Sequence, residues 1–324
     1  MKLTQLRYLV EIVKHQHNIS NVAKHLFTSQ AGISKQILML EAELNTPLFV
    51  RNGKHLSGLT QEGAKVYAES LLILDKVRSI KDIASDAYND AGLLTIATTH
   101  TQARYILPTV VRRFISSNPK VQFSMQQGNP KNVVHLLKQG EVDLAIATES
   151  LTEFEQIVSM PCYQWGRSVI TRRDHPLAQI EKLSLNDIIK YPIITYVLGF
   201  TGRYKIDEVF RKNKITPNIV LTAVDADVIK TYVRMDLGIG IIAKMAYMSE
   251  IDKDLVALDV EHIFGISTTQ IAIRKNNYIR SYIYRFIEMF APHLSENRVK
   301  QAVACKSSKE RESLFKDFDI PKYD

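Results

Sequence analysis

Leu3, Leu6, Leu9, Val10 and Val13 recur at helical spacing, which predicts an amphipathic helix over residues 3–13. Ser20 stands where it can cap a short second helix over 21–26. Thr28 or Ser29 can cap a third, reaching about residue 44. Along that third helix Ile33, Ile37, Leu40 and Leu44 step by four, three and four, which makes their stripe the buried face. Ala31, Lys35 and Leu38 then point away, with Gln30 and Ser34 beside them near the N-terminal end. Two helices joined by a tight turn read as a helix-turn-helix. Apolar runs flank Asn52-Gly53, a dipeptide that favours the type I′ hairpin turn, and a hairpin after such a helix is a wing.

From residue 61 to about 89 the chain has no proline and only Gly63, near the start, with Thr60 placed as N-cap. Val66, Ile73, Ile80 and Ala87 repeat every seven residues, with Ser70, Val77 and Ala84 between them. A helix of roughly 43 Å cannot bury that seam against itself, so pairing with a second chain is expected. Packing of the helix on its own domain is the alternative, and the polar Ser70 weakens the heptad.

After residue 90 short apolar runs alternate with helical patterns. Strands are expected at 93–98, 121–125, 144–148, 169–171, 193–196, 219–222, 238–242 and 270–273, with helices at 102–116, 131–139, 203–212 and 227–235. Alternation of this kind implies open α/β sheets, which bind ligands at the C-terminal ends of their strands. A change near 162–167 and a return near 265–269 suggest two subdomains around a cleft. The expected class is therefore α/β: a winged helix-turn-helix over 1–60, a linker or dimerisation helix over 61–90, and an effector-binding domain over 91–324. Within the last, subdomain I spans about 91–163 and 267–324, and subdomain II about 164–266.

Composition narrows the function. A 324-residue chain can bury two or three cores, and 45% hydrophobic with 23% charged residues excludes a disordered protein. No apolar span is long enough for a bilayer, and charges and histidines interrupt the first twenty residues, where no small-residue cleavage site occurs. A cytoplasmic location without a membrane partner is expected. Cys162 and Cys305 are too few for a disulfide framework or a zinc site. The net charge is +8, and within residues 1–65 eight Lys and Arg against four Glu leave +4, half of the excess in a fifth of the chain. Double-stranded DNA is the partner this suggests. Thr28, Ser29, Gln30, Ala31, Ser34 and Lys35 would face the major groove, and Arg51, Lys54 and His55 on the wing would meet phosphates. His15 and His17 make a poor metal pair, since residues two apart on a helix face different ways.

The stretch ATTHTQARYILP, 97–108, carries the remaining chemistry. Thr99, Thr101 and Gln102 sit between a strand end and a helix start, where hydroxyls, free N–H groups and the helix dipole converge on an anion. Thr148 ends another strand in the same half, and Thr201 lies in GFTGR before a helix in the other. Plainer readings stand beside the chemical ones: Thr101 as an N-cap, Trp165 simply as core, Arg203 as decoration of a helix start, Asp225 and Asp227 as caps rather than metal ligands. His100 has no Ser or Cys elbow, paired carboxylate or second histidine beside it, so an enzyme is not expected.

The string NVAKHLFTSQAGISKQILMLEAELNTPLFVRNGKHLSGLTQEG resembles the DNA-binding domain of the LysR-type transcriptional regulators, through Ala23, Leu26, Ser29, Gln30, Ser34, Ile37, Leu40, Glu41, Leu48, Phe49, Arg51, Leu59, Thr60 and Gly63. Ala31 stands where that family usually has proline and Asn45 where it usually has glycine. KLTQLRYLVEIV, IATTHTQARYILP, AIATES, GFTGR, DADVIKTYVR and RSYIYRFIEMFAPHL are similar to the CysB subgroup, regulators of cysteine biosynthesis and sulfur assimilation. That resemblance implies an effector domain like periplasmic binding proteins and gene activation with RNA polymerase as partner. It also implies a homodimer assembling to a homotetramer, and no cofactor beyond an effector such as sulfate, O-acetylserine or N-acetylserine. It places Thr99, Thr101, Gln102, Thr148 and Thr201 at the effector and makes Trp165 a cleft-wall aromatic. A LysR-type paralogue with another effector is one alternative. A small-anion binding protein or enzyme with an N-terminal assembly domain is the other.

Overall fold

The computed structural model describes the chain except residues 54, 89, 90, 149, 150, 152, 153, 155, 276, 317 and 324 and the side chains of 87 and 88. It divides into two compact units, Met1–Tyr88 and Asn89–Asp324.

In the first unit, α1 (Leu3–Lys14), α2 (Ile19–His25) and α3 (Gln30–Leu44) close around Leu6, Leu9, Ile12, Val22, Ile33, Ile37 and Leu40. Asn18, not Ser20, caps α2: its Oδ1 accepts the Asn21 N–H at 3.1 Å, so the helix starts two residues before the sequence expectation. Ser29 caps α3, its Oγ accepting the Gly32 N–H at 3.0 Å. The helix stops at Asn45, whose φ of 49° is left-handed and tolerable for asparagine. β1 (Phe49–Asn52) and β2 (His55–Leu59) pair antiparallel as the wing, turning at Gly53 with φ 61°.

α4 (Gln61–Tyr88) follows. A β-carbon at Gly63 would lie 2.0 Å from the Leu48 carbonyl oxygen, so glycine alone lets α4 start this close to the wing. Ser70 is buried and satisfies itself within the helix, its Oγ donating to the Val66 carbonyl at 2.7 Å. Leu72, Ile73, Ile80 and Ile83 are exposed on their own unit, although α1 packs against α4.

The second unit runs β3 (Gly92–Thr98), α5 (Leu107–Ser117), β4 (Val121–Gln127), α6 (Pro130–Lys138), β5 (Leu144–Ala147), β6 (Ile157–Trp165), β7 (Arg167–Arg172), α7 (Leu185–Ile188), β8 (Ile193–Tyr196) and α8 (Arg203–Lys212). It continues with β9 (Ile219–Ala223), α9 (Ala226–Arg234), β10 (Ile239–Ala243), β11 (Leu255–Asp259), α10 (Glu261–Phe264), β12 (Ser267–Arg274), α11 (Ser281–Phe290), α12 (Glu296–Ala304) and α13 (Ser308–Lys316). Two mixed five-stranded sheets form, β4-β3-β5-β12-β6 and β11-β7-β10-β8-β9, and these define subdomains I and II. The chain crosses between them at Gly166 and returns after Gly265, whose φ is 66°.

Strands β6 and β11 were not expected. Pro161 disguises β6 in the sequence. The pairing with β12 shifts register opposite it, Thr269 facing Tyr163 and Gln270 facing Pro161, so the proline sits beside a bulge, where a missing N–H is tolerated. The helix expected over 102–116 begins at His100 and contains a π turn, Gln102–Ile106, before α5. Past residue 294, α12 and α13 bury Val299, Ala302 and Phe315 in the subdomain I core, and the chain then adds a bridge to β6 through Gln164 and Lys322. No described helix is long and apolar enough to cross a membrane.

Candidate DNA-reading face and effector cleft

The first turn of α3 presents Gln30, Ala31 and Lys35 exposed and Ser34 half-buried, with Thr28 and Ser29 exposed in the turn before it. Ser29 spends its hydroxyl on the cap. Arg51 is committed in part to structure: its Nη2 lies 2.5 Å from Glu41 Oε2, while Glu41 Oε1 accepts the Leu48 and Phe49 N–H groups at 2.8 and 3.2 Å. One carboxylate thus fastens the wing to the helix that exposes Gln30, Ala31 and Lys35. Lys54 lies outside the described residues. Sequence reasoning passed over Phe27, which is 98% exposed with φ 51° in the turn between α2 and α3. A large aromatic at a turn was the signal available.

In the second unit two helix starts meet across the seam between subdomains. From subdomain I comes the helix after β3, preceded by Thr99 and carrying Thr101 and Gln102; from subdomain II comes α8, preceded by Thr201 and Gly202, whose φ values are 35° and 68°. Thr101 Oγ1 lies 3.2 Å from Thr201 Oγ1, and both residues are buried. Gln102 Nε2 donates to Thr269 Oγ1 at 3.2 Å and its Oε1 accepts the Tyr163 hydroxyl. Both starts turn the positive ends of their helix dipoles to this seam, although at α8 the Arg203 and Lys205 N–H groups already donate to the Phe200 and Gly202 carbonyls at 2.9 and 3.1 Å. A π turn directly behind Thr101 is a feature frequent at binding sites.

Arg167 lies beneath this group. Its Nη2 donates to the Gly202 carbonyl at 3.1 Å and Ser267 Oγ at 2.9 Å, its Nη1 donates to the Gly265 carbonyl at 3.3 Å, and its guanidinium lies 5.0 Å from the Trp165 ring centroid. Sequence reasoning missed it, because nothing in RSVITR shows that the arginine is buried. Burial pushes the Tyr163 and Tyr196 hydroxyls up, so both stay neutral, the first donating to Gln102 and the second accepting the Ala243 N–H at 3.2 Å.

Trp165 is 1% exposed and belongs to the core of subdomain I, with its Nε1 donating to Thr269 Oγ1 at 3.1 Å. It presents no open face, so of its two readings the structure matches core and not cleft wall: the indole supports the polar group from below. Thr99 is buried beside Thr101. Thr148 is half-buried in the bend after β5 and joins none of these bonds among the described residues. Arg203 braces its own loop, donating to Asp207 Oδ1 at 2.8 Å and to the Tyr196 carbonyl.

Asp225 caps α9, accepting the Val228 N–H at 2.9 Å. Burial works to raise the Asp227 carboxyl, but the Tyr105 hydroxyl at 2.8 Å, Lys230 at 3.2 Å and Arg104 at 3.3 Å hold it below the usual range. A cavity of about 400 Å³ opens at the same seam, lined by Tyr105 on one side, Ser168, Lys244, Tyr247 and Asp259 on the other, and Tyr323 of the tail. The threonines do not line it; they are closed on each other.

A winged helix-turn-helix together with two α/β subdomains around a donor-lined seam defines a DNA-binding regulator with a small-molecule-binding domain. Residues 3–64 match the bacterial regulatory helix-turn-helix protein, lysR family, and residues 89–295 match the LysR substrate binding domain. The chain belongs to the LysR family of transcriptional regulators, which are not enzymes. It is 47% identical over 300 residues to the HTH-type transcriptional regulator SsuR of Burkholderia cenocepacia, covering 92% of this chain and 97% of that one. It is 44% identical over 322 residues to the HTH-type transcriptional regulator CysB of Haemophilus influenzae, covering 99% of each. The crystal structure of the cofactor-binding domain of the Cbl transcriptional regulator matches with a TM-score of 0.63 at 42% identity, covering 66% of this chain and 93% of that one.

Proposed function

We propose that the protein controls sulfur-assimilation and cysteine-biosynthesis genes in the cytoplasm, as an activator that engages RNA polymerase, and that a small oxyanion held at the Thr101–Thr201 seam sets its activity. The observation that carries the effector reading is the meeting of two helix starts and two buried hydroxyls from different subdomains within 3.2 Å. Sulfate, thiosulfate, O-acetylserine and N-acetylserine are the candidates, because neutral donors and helix dipoles bind such anions without a full counter-charge. Thr99, Thr101, Gln102, Thr148 and Thr201 are the proposed contacts, with Trp165 behind them. Ligand that bridges both halves favours the closed state by its differential affinity for it.

For DNA, Thr28, Ser29, Gln30, Ala31, Ser34 and Lys35 form the proposed major-groove edge, with Arg51 and Lys54 on the wing. The exposed Leu72, Ile73, Ile80 and Ile83 support pairing of two chains through α4, and two such dimers would make the tetramer.

Calorimetry of the full chain with these four compounds tests the effector. Heat with one or more, lost in Thr101→Val, is expected; no heat with any overturns the assignment. Operator binding measured against salt tests the DNA reading: a flat response, with no preference for a promoter fragment over random DNA, would overturn it.

A further inference from the structure

Where α1 ends beside the end of α2, the chain assembles three metal-ligand side chains from two helices. Glu11 and His15 come from α1 and its C-cap, and His25 is the last residue of α2. One ligand atom from each lies within 4.8 Å of the other two. Glu11 Oε2 is 3.8 Å from His15 Nδ1 and 3.8 Å from His25 Nε2, and the two imidazole centroids are 5.0 Å apart.

At 3.8 Å the carboxylate is beyond hydrogen-bond contact with either ring. The arrangement is nevertheless close enough for a shared cation. Three atoms no more than 4.8 Å apart leave a point at most about 2.8 Å from each, so shifts well under 1 Å reach the bond lengths of zinc, about 2.0–2.2 Å to nitrogen or oxygen. His15 Nδ1 also lies 3.0 Å from the Glu11 carbonyl, so in the metal-free chain it carries the ring proton, and ligation through it moves that proton to Nε2 and gives up this hydrogen bond. The side chains of Glu11, His15 and His25 are 17%, 29% and 59% exposed, which gives an ion a route in and leaves a fourth coordination position to water. Glu11 is also the only acidic residue among the first forty, in a segment otherwise rich in Lys and Arg.

We propose that Glu11, His15 and His25 bind one divalent transition-metal ion, with zinc the best fit. Two imidazoles and one carboxylate are the borderline donors zinc prefers, whereas magnesium and calcium take oxygen-only sets. The ion ties the end of α1 to α2, the first helix of the helix-turn-helix pair, and so stabilises the unit that reads DNA. The sequence shows His15 and His17 as neighbours and hides this set, since His25 joins it only through helix packing. Another His and Asp cluster exists at His100, Asp225 and Asp227, but there the carboxylates already serve the α9 cap, Tyr105, Lys230 and Arg104.

The test titrates zinc chloride into the untagged, metal-stripped full chain against a colorimetric chelator, with the thermal midpoint followed in parallel. About one zinc per chain and a raised midpoint are expected. Glu11→Gln, His15→Ala and His25→Ala should each weaken binding by more than about tenfold and abolish the shift. Because His25 is the most exposed of the three, His25→Gln keeps the test valid if other variants fail to fold. Wild-type zinc affinity in folded His25→Gln, absence of zinc binding, or binding lost in His100→Ala but kept in His25→Gln would each overturn the proposal.

Discussion

Thr101 Oγ1 and Thr201 Oγ1 stand 3.2 Å apart, one carried by each subdomain at the start of a helix. One hydroxyl donates to the other, so the pair itself adds only one weak neutral bond to a seam that Asp227 also bridges, to Tyr105 and Arg104. An oxyanion offers both hydroxyls a charged acceptor, and hydrogen bonds to charged groups contribute about 1.5–3 kcal/mol against about 1 for neutral ones. Thr101→Val and Thr201→Val keep the shape and remove the hydroxyl. Each should weaken effector binding by roughly tenfold or more, and Thr99→Ala with Thr101→Ala should abolish the ligand response, with operator binding nearly intact in all three. Calorimetry and DNA-binding titration separate the two effects; equal loss of both would point to a folding defect instead.

Gly202 is a close-approach glycine as well as a left-handed one. With φ at 68°, a β-carbon there would fall 2.0 Å from Arg167 Nη2, the nitrogen that holds the Gly202 carbonyl and Ser267. Gly202→Ala should therefore cost at least about 2 kcal/mol, combining backbone strain with displacement of a buried cation. A midpoint lowered by several degrees, with weaker effector binding, is the expected result. An unchanged midpoint would mean that Arg167 has room to move.

How much of this was legible in the sequence varies with the range of the interaction. β8 and α8 fall on the expected residues, because buried apolar runs and helix periodicity are local signals. The Thr101 and Thr201 neighbourhoods were legible for the same reason: strand ends and helix starts announce free N–H groups. The identity of the α2 cap was not, since Asn18 and Ser20 are both competent and only the chain path chooses. β6 was hidden because Pro161 breaks the pattern, and its acceptance depends on a bulge made with β12, more than a hundred residues away. Folding gives Arg167 and Trp165 their roles, turning an anonymous cation into support of the seam and deciding for core at a tryptophan that the sequence left between cleft wall and core. Both outcomes depend on contacts with Gly202, Ser267 and Thr269 that no local window contains.

Asp252 is one of the carboxyls that make subdomain II sensitive to acid. It is 1% exposed and faces Lys230 Nζ at 3.0 Å, Arg234 Nη2 at 2.8 Å and the Met248 N–H at 2.9 Å. Burial works to raise its carboxyl, but the Met248 N–H, Arg234 and Lys230 more than offset it, and the group is held below its usual range. A carboxyl lowered by folding contributes stability that is complete above the unfolded value, about 3.9, and is lost as pH falls through the folded one. Asp252→Asn removes one of the two carboxylates that face buried Lys230 and leaves it Asp227 alone, at 3.2 Å, so it should cost up to about 3 kcal/mol at pH 7, less than a wholly unpaired buried charge. Denaturant midpoints across pH should show the gap between wild type and variant narrowing below about pH 4. A gap independent of pH would assign the loss to packing alone.

On α3 the proposed DNA contacts divide by chemistry, and salt separates them. Lys35 is exposed on the outward edge, where its ammonium suits a phosphate; Gln30 is exposed at the first position, where its amide can pair with an adenine edge. Displacing one counterion changes the slope of log affinity against log salt by about 0.9, so Lys35→Ala should lower that slope by roughly one and weaken operator and random DNA alike. Gln30→Ala should leave the slope unchanged and cost about 1–3 kcal/mol on the operator only. Anisotropy titrations of both variants on both DNAs over several salt concentrations decide the matter. If Gln30→Ala weakens random DNA as much as operator, its amide positions the helix on the backbone, and base reading falls to Ser34 and Ala31.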